Sequence, residues 1–241
     1  ISSRRSQTRP PGPFTTASLQ QAASVQLHFS TSRTMRIAQQ LYEGVEVGGE
    51  GSVGLITYMR TDSLNLSDQA IAQARSFIDA RFGKPYLPDK PRRFRSGERA
   101  QAAHEAIRPT DAARTPEEMR KVLSADQFKL YDLIWRRFVA CQMSPAQWDV
   151  TEVTITADTP AGEATLKAAG RRLAFDGYLK VAGMPRHDEQ VLPELNESDP
   201  LGPVELSPTQ HFTQPPPRYT EASLVKALEA EGIGRPSTYA A

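Results

Sequence analysis

The stretch GLITYMRTDSLNLS (residues 54–67) begins as an apolar run and ends in a polar turn. Leu55 and Ile56 are typical of a buried β-strand, and Ser67 belongs to a residue type that commonly caps a helix N-terminus. The stretch therefore predicts a strand that leads through a polar connection into a helix, and such strand ends often carry function. The apolar face of the predicted helix comprises Ile71, Ala74, Ile78 and Phe82.

Tyr58 lies two residues before Arg60 at the end of the strand-like run. A phenol has an ordinary pKa of about 10, so it needs assistance before it can act as a nucleophile. A neighbouring guanidinium stays charged, and it can lower that pKa or hold a phosphate through its fork of donors. The pair suits attack on a phosphodiester. The alternative is a half-buried tyrosine that serves only in packing.

A second group of candidates lies in AQAAHEAIRP (residues 100–109), which we expect to form a short helix that ends by Pro109. His104 and Arg108 are four residues apart, so a helix would place them on one face. Together they could clamp a phosphate or relay a proton. The alternative is that both are surface or structural residues.

The third candidate is GIGRPST (residues 232–238), which follows a predicted helix. Its two glycines permit close backbone approach, Arg235 supplies charge, and Ser237 and Thr238 are hydrogen-bond donors at a predicted helix N-terminus. These features fit a phosphate cradle. They fit equally well a glycine that ends one helix and an N-cap that begins the next.

The composition, with 39% apolar and 24% charged residues, is that of an ordinary globular protein. The single cysteine, Cys141, excludes a disulfide framework and a multi-cysteine zinc site, and no apolar run or leader pattern predicts membrane insertion or secretion. We therefore expect a cytoplasmic protein. The net charge is only +1, but residues 1–42 contain five arginines and no acidic residue. A second basic cluster, Arg92, Arg93, Arg95 and Arg99, is either a solvated surface or a footprint for phosphates.

The order of patterns along the chain predicts an α+β protein with several domains. Residues 1–13 resemble a linker or strand, residues 14–144 are mainly helical, and residues 145–219 contain strand-like alternation, clearest at 148–183. Residues 220–241 predict a helix capped by Thr220, with Leu224, Val225 and Leu228 facing inward, as the start of another helical unit. The glycine-rich segment 43–54 predicts a loop.

The best helix pattern in the chain follows Ser124, which forms a capping box with Gln127. A second capping box joins Thr115 to Glu118. The aromatic stripe of the longer helix predicts core packing, not a platform for nucleic-acid bases. That stripe comprises Phe128, Tyr131, Trp135 and Phe138, with Gln142 at the next position.

These motifs resemble the bacterial type IA DNA topoisomerases. The resemblance covers nearly the whole chain in family order, and only residues 83–100 and 184–200 match loosely. The matching stretches are PFTTASLQQAAS, AQQLYEG, GLITYMRTDSLNLS, AAHEAIRPT, LYDLIWRRFVACQMSPA, FDGYLKV and QHFTQPPPRYTEASLVKALEAEGIGRPSTYA.

The resemblance implies a role for each candidate. Tyr58 would attack single-stranded DNA to form a 5′-phosphotyrosine, Arg60 would assist cleavage, and His104 would lie near the scissile phosphate. The residues implied in DNA binding are Gln39, Glu43, Asp62, Arg108, Arg235, Ser237 and Thr238.

The resemblance also implies an architecture and a reaction. Residues 14–144 would form a winged-helix-like gate domain, carried on a β arch of residues 145–219 with the end of that arch in 1–13. Residues 220–241 would begin a helical DNA-binding domain. The whole enzyme would relax negatively supercoiled DNA without ATP as a monomer, with a nucleoid-associated location.

The family's Mg²⁺ is held by a Toprim domain whose Asp-x-Asp motif does not occur in this sequence, so we expect no metal ligands in this chain. Alone, the chain would then cleave DNA weakly or not at all. Two alternatives stay open: a non-catalytic module that binds single-stranded nucleic acid, and a related type IA enzyme such as topoisomerase III or reverse gyrase.

Overall fold

The computed structural model describes residues 1–96, 104–185, 189–202, 205 and 207–239. The chain divides into two compact units. The smaller unit comprises residues 1–8, 145–176 and 184–218, and the larger comprises 9–144, 177–183 and 219–241. Antiparallel strands occur in both units and the helices lie in the larger one, so the expected α+β class is confirmed.

The smaller unit contains a three-stranded antiparallel sheet in the order β1, β4, β5. These strands are β1 (Ser2–Thr8), β4 (Ala146–Thr159) and β5 (Gly162–Phe175). β4 and β5 form a long hairpin, since Thr159 pairs with Gly162 at its tip and Trp148 pairs with Leu173 near its base. The strand-like alternation in the sequence therefore predicted this hairpin correctly as far as Phe175.

The larger unit is helical. Its helices are α1 (Thr16–Leu27), α2 (Thr31–Glu43), α3 (Asp68–Phe82), α4 (Pro116–Met119), α5 (Ala125–Cys141), α6 (Leu179–Ala182) and α7 (Glu221–Ala230). Side-chain N-caps begin six of them, namely Thr15, Ser30, Ser67, Thr115, Ser124 and Thr220. Each of these caps satisfies a backbone N–H that would otherwise lack an acceptor in the first helical turn.

The core of the larger unit is built around α5. Tyr131, Trp135 and Phe138 of its aromatic stripe are buried, as the sequence predicted, and Phe128 is partly buried. Tyr131 is fully buried, and its hydroxyl donates to the carbonyl of Arg114 at 2.7 Å. Trp135 donates from Nε1 to the carbonyl of Ala112 at 2.9 Å. Both polar groups are therefore satisfied inside the core, which avoids the cost of burying an unpaired donor.

Several expectations about local structure were wrong. Segment 43–54 is not a simple loop, because β2 (Val45–Glu46) and β3 (Ser52–Val53) pair within it as a two-stranded ribbon. The strand pattern at 148–183 ends early, since α6 follows β5. On α7, Val225 is buried, but Leu224 is 44% exposed where the pattern had placed it inward.

The largest local error concerns the helix expected over residues 100–109. Among the described residues of that segment, 104–109 run as an extended chain with isolated bridges and no helical turn. Ala106 N–H donates to the carbonyl of Asn65 at 2.8 Å, and Ile107 N–H donates to that of Phe14 at 2.8 Å. Distant backbone partners thus replace the i to i+4 bonds that a helix would need.

Helix α7 packs against α1 within the larger unit. A Glu221 carboxylate oxygen accepts from the backbone N–H of Thr31, at the start of α2, at 2.7 Å. Gln21 Nε2 donates to Glu229 at 3.4 Å. Residues 219–241 lie in the same compact unit as residues 9–144. The expected limits of the gate, arch and DNA-binding domains, including a separate helical domain from residue 220, stay predictions.

Candidate active site

The backbone around Tyr58 alternates between core and cleft. Met59 and Thr61 are 4% and 1% exposed, so they face inward. Tyr58, Arg60 and Asp62 lie on the opposite side and line one cleft. Burial alternates from residue to residue through the bend at residues 59 and 60, so these three side chains share one side of the segment.

Thr16 holds this segment on both sides of Arg60. Its hydroxyl donates to the carbonyl of Met59 at 2.7 Å and accepts from the N–H of Thr61 at 2.9 Å. The N–H of Thr16 donates in turn to the carbonyl of Thr61 at 2.8 Å. Thr16 is fully buried, so the first residue of α1 fixes the backbone that presents Arg60 to the cleft.

The extended segment 104–109 lies beside Tyr58 because it bonds to Thr57. Thr57 N–H donates to the carbonyl of Arg108 at 2.9 Å, and Arg108 N–H donates to Thr57 Oγ1 at 3.0 Å. The same hydroxyl donates to the carbonyl of Ala106 at 2.7 Å. His104 consequently faces Tyr58, with ring centroids 5.9 Å apart in an edge-to-face arrangement.

A second aromatic ring, that of Tyr42, contacts Tyr58 edge to face at 5.5 Å between centroids. Tyr42 lies in the last turn of α2, and segment 54–58 docks there because Leu55 N–H donates to the carbonyl of Leu41 at 2.7 Å. The strand expected over this segment is reduced to an isolated bridge between Ile56 and Pro109. Sequence reasoning did not select Tyr42. The available signal was an aromatic residue beside the buried face of an amphipathic helix, left 42% exposed.

The cleft has a volume of about 470 Å³. Its lining joins the Tyr58 segment to the GIGRPST turn, and it comprises Tyr58, Arg60, Asp62, His104, Arg235, Pro236 and Ser237. Two arginines, a histidine and one carboxylate therefore line the same cleft as the phenol. Such a set of donors is suited to a phosphate group.

The GIGRPST turn is held by Thr238. Its N–H donates to the carbonyl of Arg235 at 2.9 Å, and its hydroxyl accepts from the N–H of Arg235 at 2.9 Å. Gly232 and Gly234 have φ of 68° and 83°, a conformation that favours glycine. Arg235 and Ser237 thus face the cleft, while Thr238 shapes the turn that presents them.

Three other expected residues lie differently. Gln39 and Glu43 are exposed on α2 and bond to each other, with Gln39 Nε2 donating to Glu43 Oε1 at 2.6 Å. The link that the structure shows from this helix to the cleft is Tyr42. Arg108 donates to Glu105 within the segment 104–109, at 2.6 Å from Nη2 to Oε2, and its side chain is 13% exposed.

The described residues contain no cluster of three or more histidine, cysteine, aspartate or glutamate side chains that could hold a metal ion. In the cleft, the groups that can bind a phosphate include the side chains of Arg60, His104 and Arg235.

Among the described helices, none has the length and apolar character needed to cross a membrane.

Comparison with known proteins identifies the class. The chain belongs to the DNA topoisomerase family, whose profile matches residues 1–241. Relatives and a solved structure confirm the expectation that this chain belongs to the bacterial type IA enzymes.

Among the relatives is DNA topoisomerase 1 of Salmonella typhimurium, 53% identical over 97% of this chain and 26% of that protein. DNA topoisomerase 1 of Rickettsia felis is 49% identical over 100% of this chain and 31% of that protein. The structure of full-length topoisomerase I from Thermotoga maritima matches with a TM-score of 0.84 and 45% identity, over 99% of this chain and 38% of that one. The chain thus spans between a quarter and two fifths of the proteins that it matches.

Proposed function

We propose that this chain supplies the tyrosine-bearing part of a type IA DNA topoisomerase, which relaxes negatively supercoiled DNA without ATP. The observation that carries the proposal is the position of Tyr58, a 42% exposed phenol in a cleft with Arg60, His104 and Arg235. Family membership supports the same reaction. The proposed substrate is single-stranded DNA, exposed where a negatively supercoiled duplex opens.

The proposed step is a transesterification. The Tyr58 oxygen forms a bond to phosphorus as the bond from phosphorus to the 3′-oxygen breaks, which leaves a 5′-phosphotyrosine and a 3′-hydroxyl. The phenol loses its proton and the departing 3′-oxygen gains one. Because the phosphotyrosine keeps the energy of the phosphodiester, the reverse step reseals the strand without a nucleotide cofactor.

The residues of this chain have distinct proposed tasks. Arg60 and Arg235 bind the phosphate oxygens and offset the charge that develops during attack. His104, beside the phenol ring, donates to the phosphate or moves the phenolic proton. Asp62 and Ser237 line the same cleft and contact the neighbouring nucleotide, while Gln39 and Glu43 extend the DNA path along α2.

The remaining parts of the proposal concern the whole protein. Residues 14–144 would act as the moving gate and residues 145–219, with the strand in 1–13, as its β arch. Residues 220–241 would begin the fixed DNA-binding domain. Mg²⁺ would be bound by a Toprim portion that this chain does not include, and that portion would also hold the acid for the 3′-oxygen. We propose further that the whole protein acts as a monomer at the nucleoid.

The proposal can be tested in a chimaera, namely the Salmonella typhimurium relative with this chain in place of its matching segment. With Mg²⁺ and a 5′-labelled or 3′-labelled oligonucleotide, the chimaera should form a denaturation-resistant adduct that retains only the strand 3′ of the cut. Tyr58→Phe should abolish the adduct and leave DNA binding intact. Tyr219→Phe, at a 71% exposed tyrosine, is the matched control and should cleave normally.

Two results would decide against the enzymatic interpretation. If the folded chimaera binds single-stranded DNA but yields no adduct, the chain is better described as a non-catalytic binding module. An adduct that persists in Tyr58→Phe would assign the nucleophile to another residue. Either result can be separated from misfolding by the thermal unfolding of the chimaera and by its affinity for DNA.

A further inference from the structure

The guanidinium of Arg108 is bound inside the protein, although the sequence resemblance assigned it to DNA. Its Nε and Nη2 atoms donate to Glu105 Oε2 at 3.0 and 2.6 Å, and Nη1 donates to the carbonyl of Pro109 at 3.0 Å. All three guanidinium nitrogens are thus engaged, and only 13% of the side chain is exposed. A phosphate that bound Arg108 would have to compete with Glu105 for the guanidinium.

Glu105 has a second partner on the other side. Its Oε1 atom accepts from the backbone N–H of Ser67, the N-cap of α3, at 2.7 Å. Burial alone would raise the pKa of the Glu105 carboxyl, but the hydrogen bond from Ser67 and the charge of Arg108 together lower it. The carboxylate is therefore ionised at neutral pH, and the ion pair is intact under working conditions.

The backbone on both sides of this pair forms the wall of the cleft. His104, which faces the phenol ring, directly precedes Glu105. Arg108 makes two hydrogen bonds with Thr57, the residue before Tyr58: its carbonyl accepts from the Thr57 N–H, and its N–H donates to Thr57 Oγ1. The pair therefore connects three segments: the start of α3, the extended segment 104–109 and the segment that carries the nucleophile.

We propose that Glu105 and Arg108 are positioning residues, which hold His104 in register against Tyr58, and that Arg108 does not bind DNA phosphate. This inference rests on the proposed cleavage reaction. A helix could have held residues 104–108 by local hydrogen bonds, but an extended segment has none. The ion pair, in which Nε and Nη2 both donate to Oε2 of Glu105, adds a side-chain restraint to the backbone bonds of this segment. Lysine could reproduce that restraint only in part because it lacks the guanidinium fork.

The salt dependence of binding separates the two roles of Arg108. For single strands, the slope of log affinity against log salt concentration changes by about 0.7 for each phosphate contact. We expect Arg108→Gln in the chimaera to leave the slope for a single-stranded oligonucleotide unchanged. Arg235→Gln, which removes a proposed phosphate ligand, should reduce the slope by about 0.7 and calibrates the assay. A comparable reduction in Arg108→Gln would overturn the proposal.

The cleavage rate provides the second measurement. At saturating oligonucleotide, Glu105→Gln and Arg108→Gln should each slow the first-order formation of the adduct by about 10-fold to 100-fold, because a small misplacement near reacting groups is costly. The double variant should be no slower than the slower single variant, since the two residues act as one unit. Arg108→Lys should recover part of the rate. Additive losses in the double variant would contradict the pairing.

A matched pair on α5 controls for the loss of any ion pair. Arg136 Nε donates to Asp132 at 2.8 Å, four residues apart, away from the cleft residues. Asp132→Asn and Arg136→Gln should leave the cleavage rate unchanged. If a Glu105 or Arg108 variant is partly unfolded, the amplitude of adduct formation falls and its rate constant does not, so a lower amplitude alone would count against a positioning role. If the wild-type chimaera itself forms no adduct, the result rejects the proposed function and does not test the positioning role.

Discussion

The ring of Tyr42 meets the ring of Tyr58 edge to face, with centroids 5.5 Å apart and planes at 67°. His104 makes the corresponding contact with the same ring at 5.9 Å. The candidate nucleophile is therefore oriented by two aromatic neighbours, one from α2 and one from segment 104–109. Edge-to-face pairs of this kind contribute about 0.5–1.5 kcal/mol beyond their buried area.

Removal of the Tyr42 ring should therefore weaken the orientation of Tyr58. In the chimaera, Tyr42→Leu should slow adduct formation at saturating DNA by about twofold to tenfold. This range is the rate change that corresponds to the free energy of one ring pair. Tyr42→Phe keeps the ring and should cleave at the wild-type rate. Equal losses in both variants would show that the hydroxyl matters and that ring contact does not.

Gly54 permits the close approach of segment 54–58, which carries Tyr58, to α2. A Cβ atom at Gly54 would lie 2.7 Å from the backbone carbonyl oxygen of Tyr42, so an alanine there must displace the backbone. We expect Gly54→Ala to lower the free energy of unfolding by about 1–3 kcal/mol and to reduce cleavage, because Tyr42 and Tyr58 are separated. Chemical denaturation and the adduct assay measure the two effects.

The control for that substitution is Gly49→Ala. A Cβ atom at Gly49 would meet no described atom within 4 Å, and its backbone lies outside the positive-φ region. Both stability and cleavage should stay within error of the wild type. If Gly54→Ala also behaved like the wild type, the close packing of α2 against segment 54–58 would be refuted.

Helices with strong local signals could be predicted from the sequence. The capping box of Ser124 and Gln127 and the aromatic stripe that follows lie within one segment, so periodicity alone located α5 and its buried face. The β4–β5 hairpin was predicted for the same reason, since its alternation and its turn are local. Such signals determine where an element begins and which face is buried.

The parts of the site that sequence reasoning missed depend on contacts between distant segments. The pattern of residues 100–109 favoured a helix, but bonds to Thr57, Asn65 and Phe14 impose an extended chain on the described part. Tyr42 approaches Tyr58 because segment 54–58 docks on the end of α2. Neither relationship has a periodic signature in the sequence. The family resemblance assigned His104 to the site, but it did not indicate Tyr42.

The single cysteine offers a check of the core that does not depend on DNA. Cys141 is fully buried, and burial raises the pKa of its thiol to about 12. Because only the thiolate is reactive, native protein at pH 8 should resist iodoacetamide, and labelling should appear as the chain unfolds in urea. Rapid stoichiometric labelling without denaturant would contradict the packing around α5.

Thr16 provides the sharpest test of how the fold presents Arg60. Thr16→Val keeps the shape of the side chain but removes the hydroxyl, so the N–H of Thr61 and the carbonyl of Met59 lose a buried partner. We expect the free energy of unfolding to fall by about 1–3 kcal/mol, and the cleavage rate to fall as the backbone beside Arg60 loosens. Thr16→Ser restores the hydroxyl and should recover most of both losses.

A second buried threonine supplies the matched control. Thr34 is also fully buried, and its hydroxyl donates to the carbonyl of Ser30 at 2.9 Å. That carbonyl still accepts from the N–H of Thr34 at 2.9 Å, so Thr34→Val leaves no backbone group unpaired. It should cost less stability than Thr16→Val and leave the cleavage rate unchanged. Equal effects of the two substitutions would mean that burial of the hydroxyl, and not its bonds to the Arg60 segment, explains the role of Thr16.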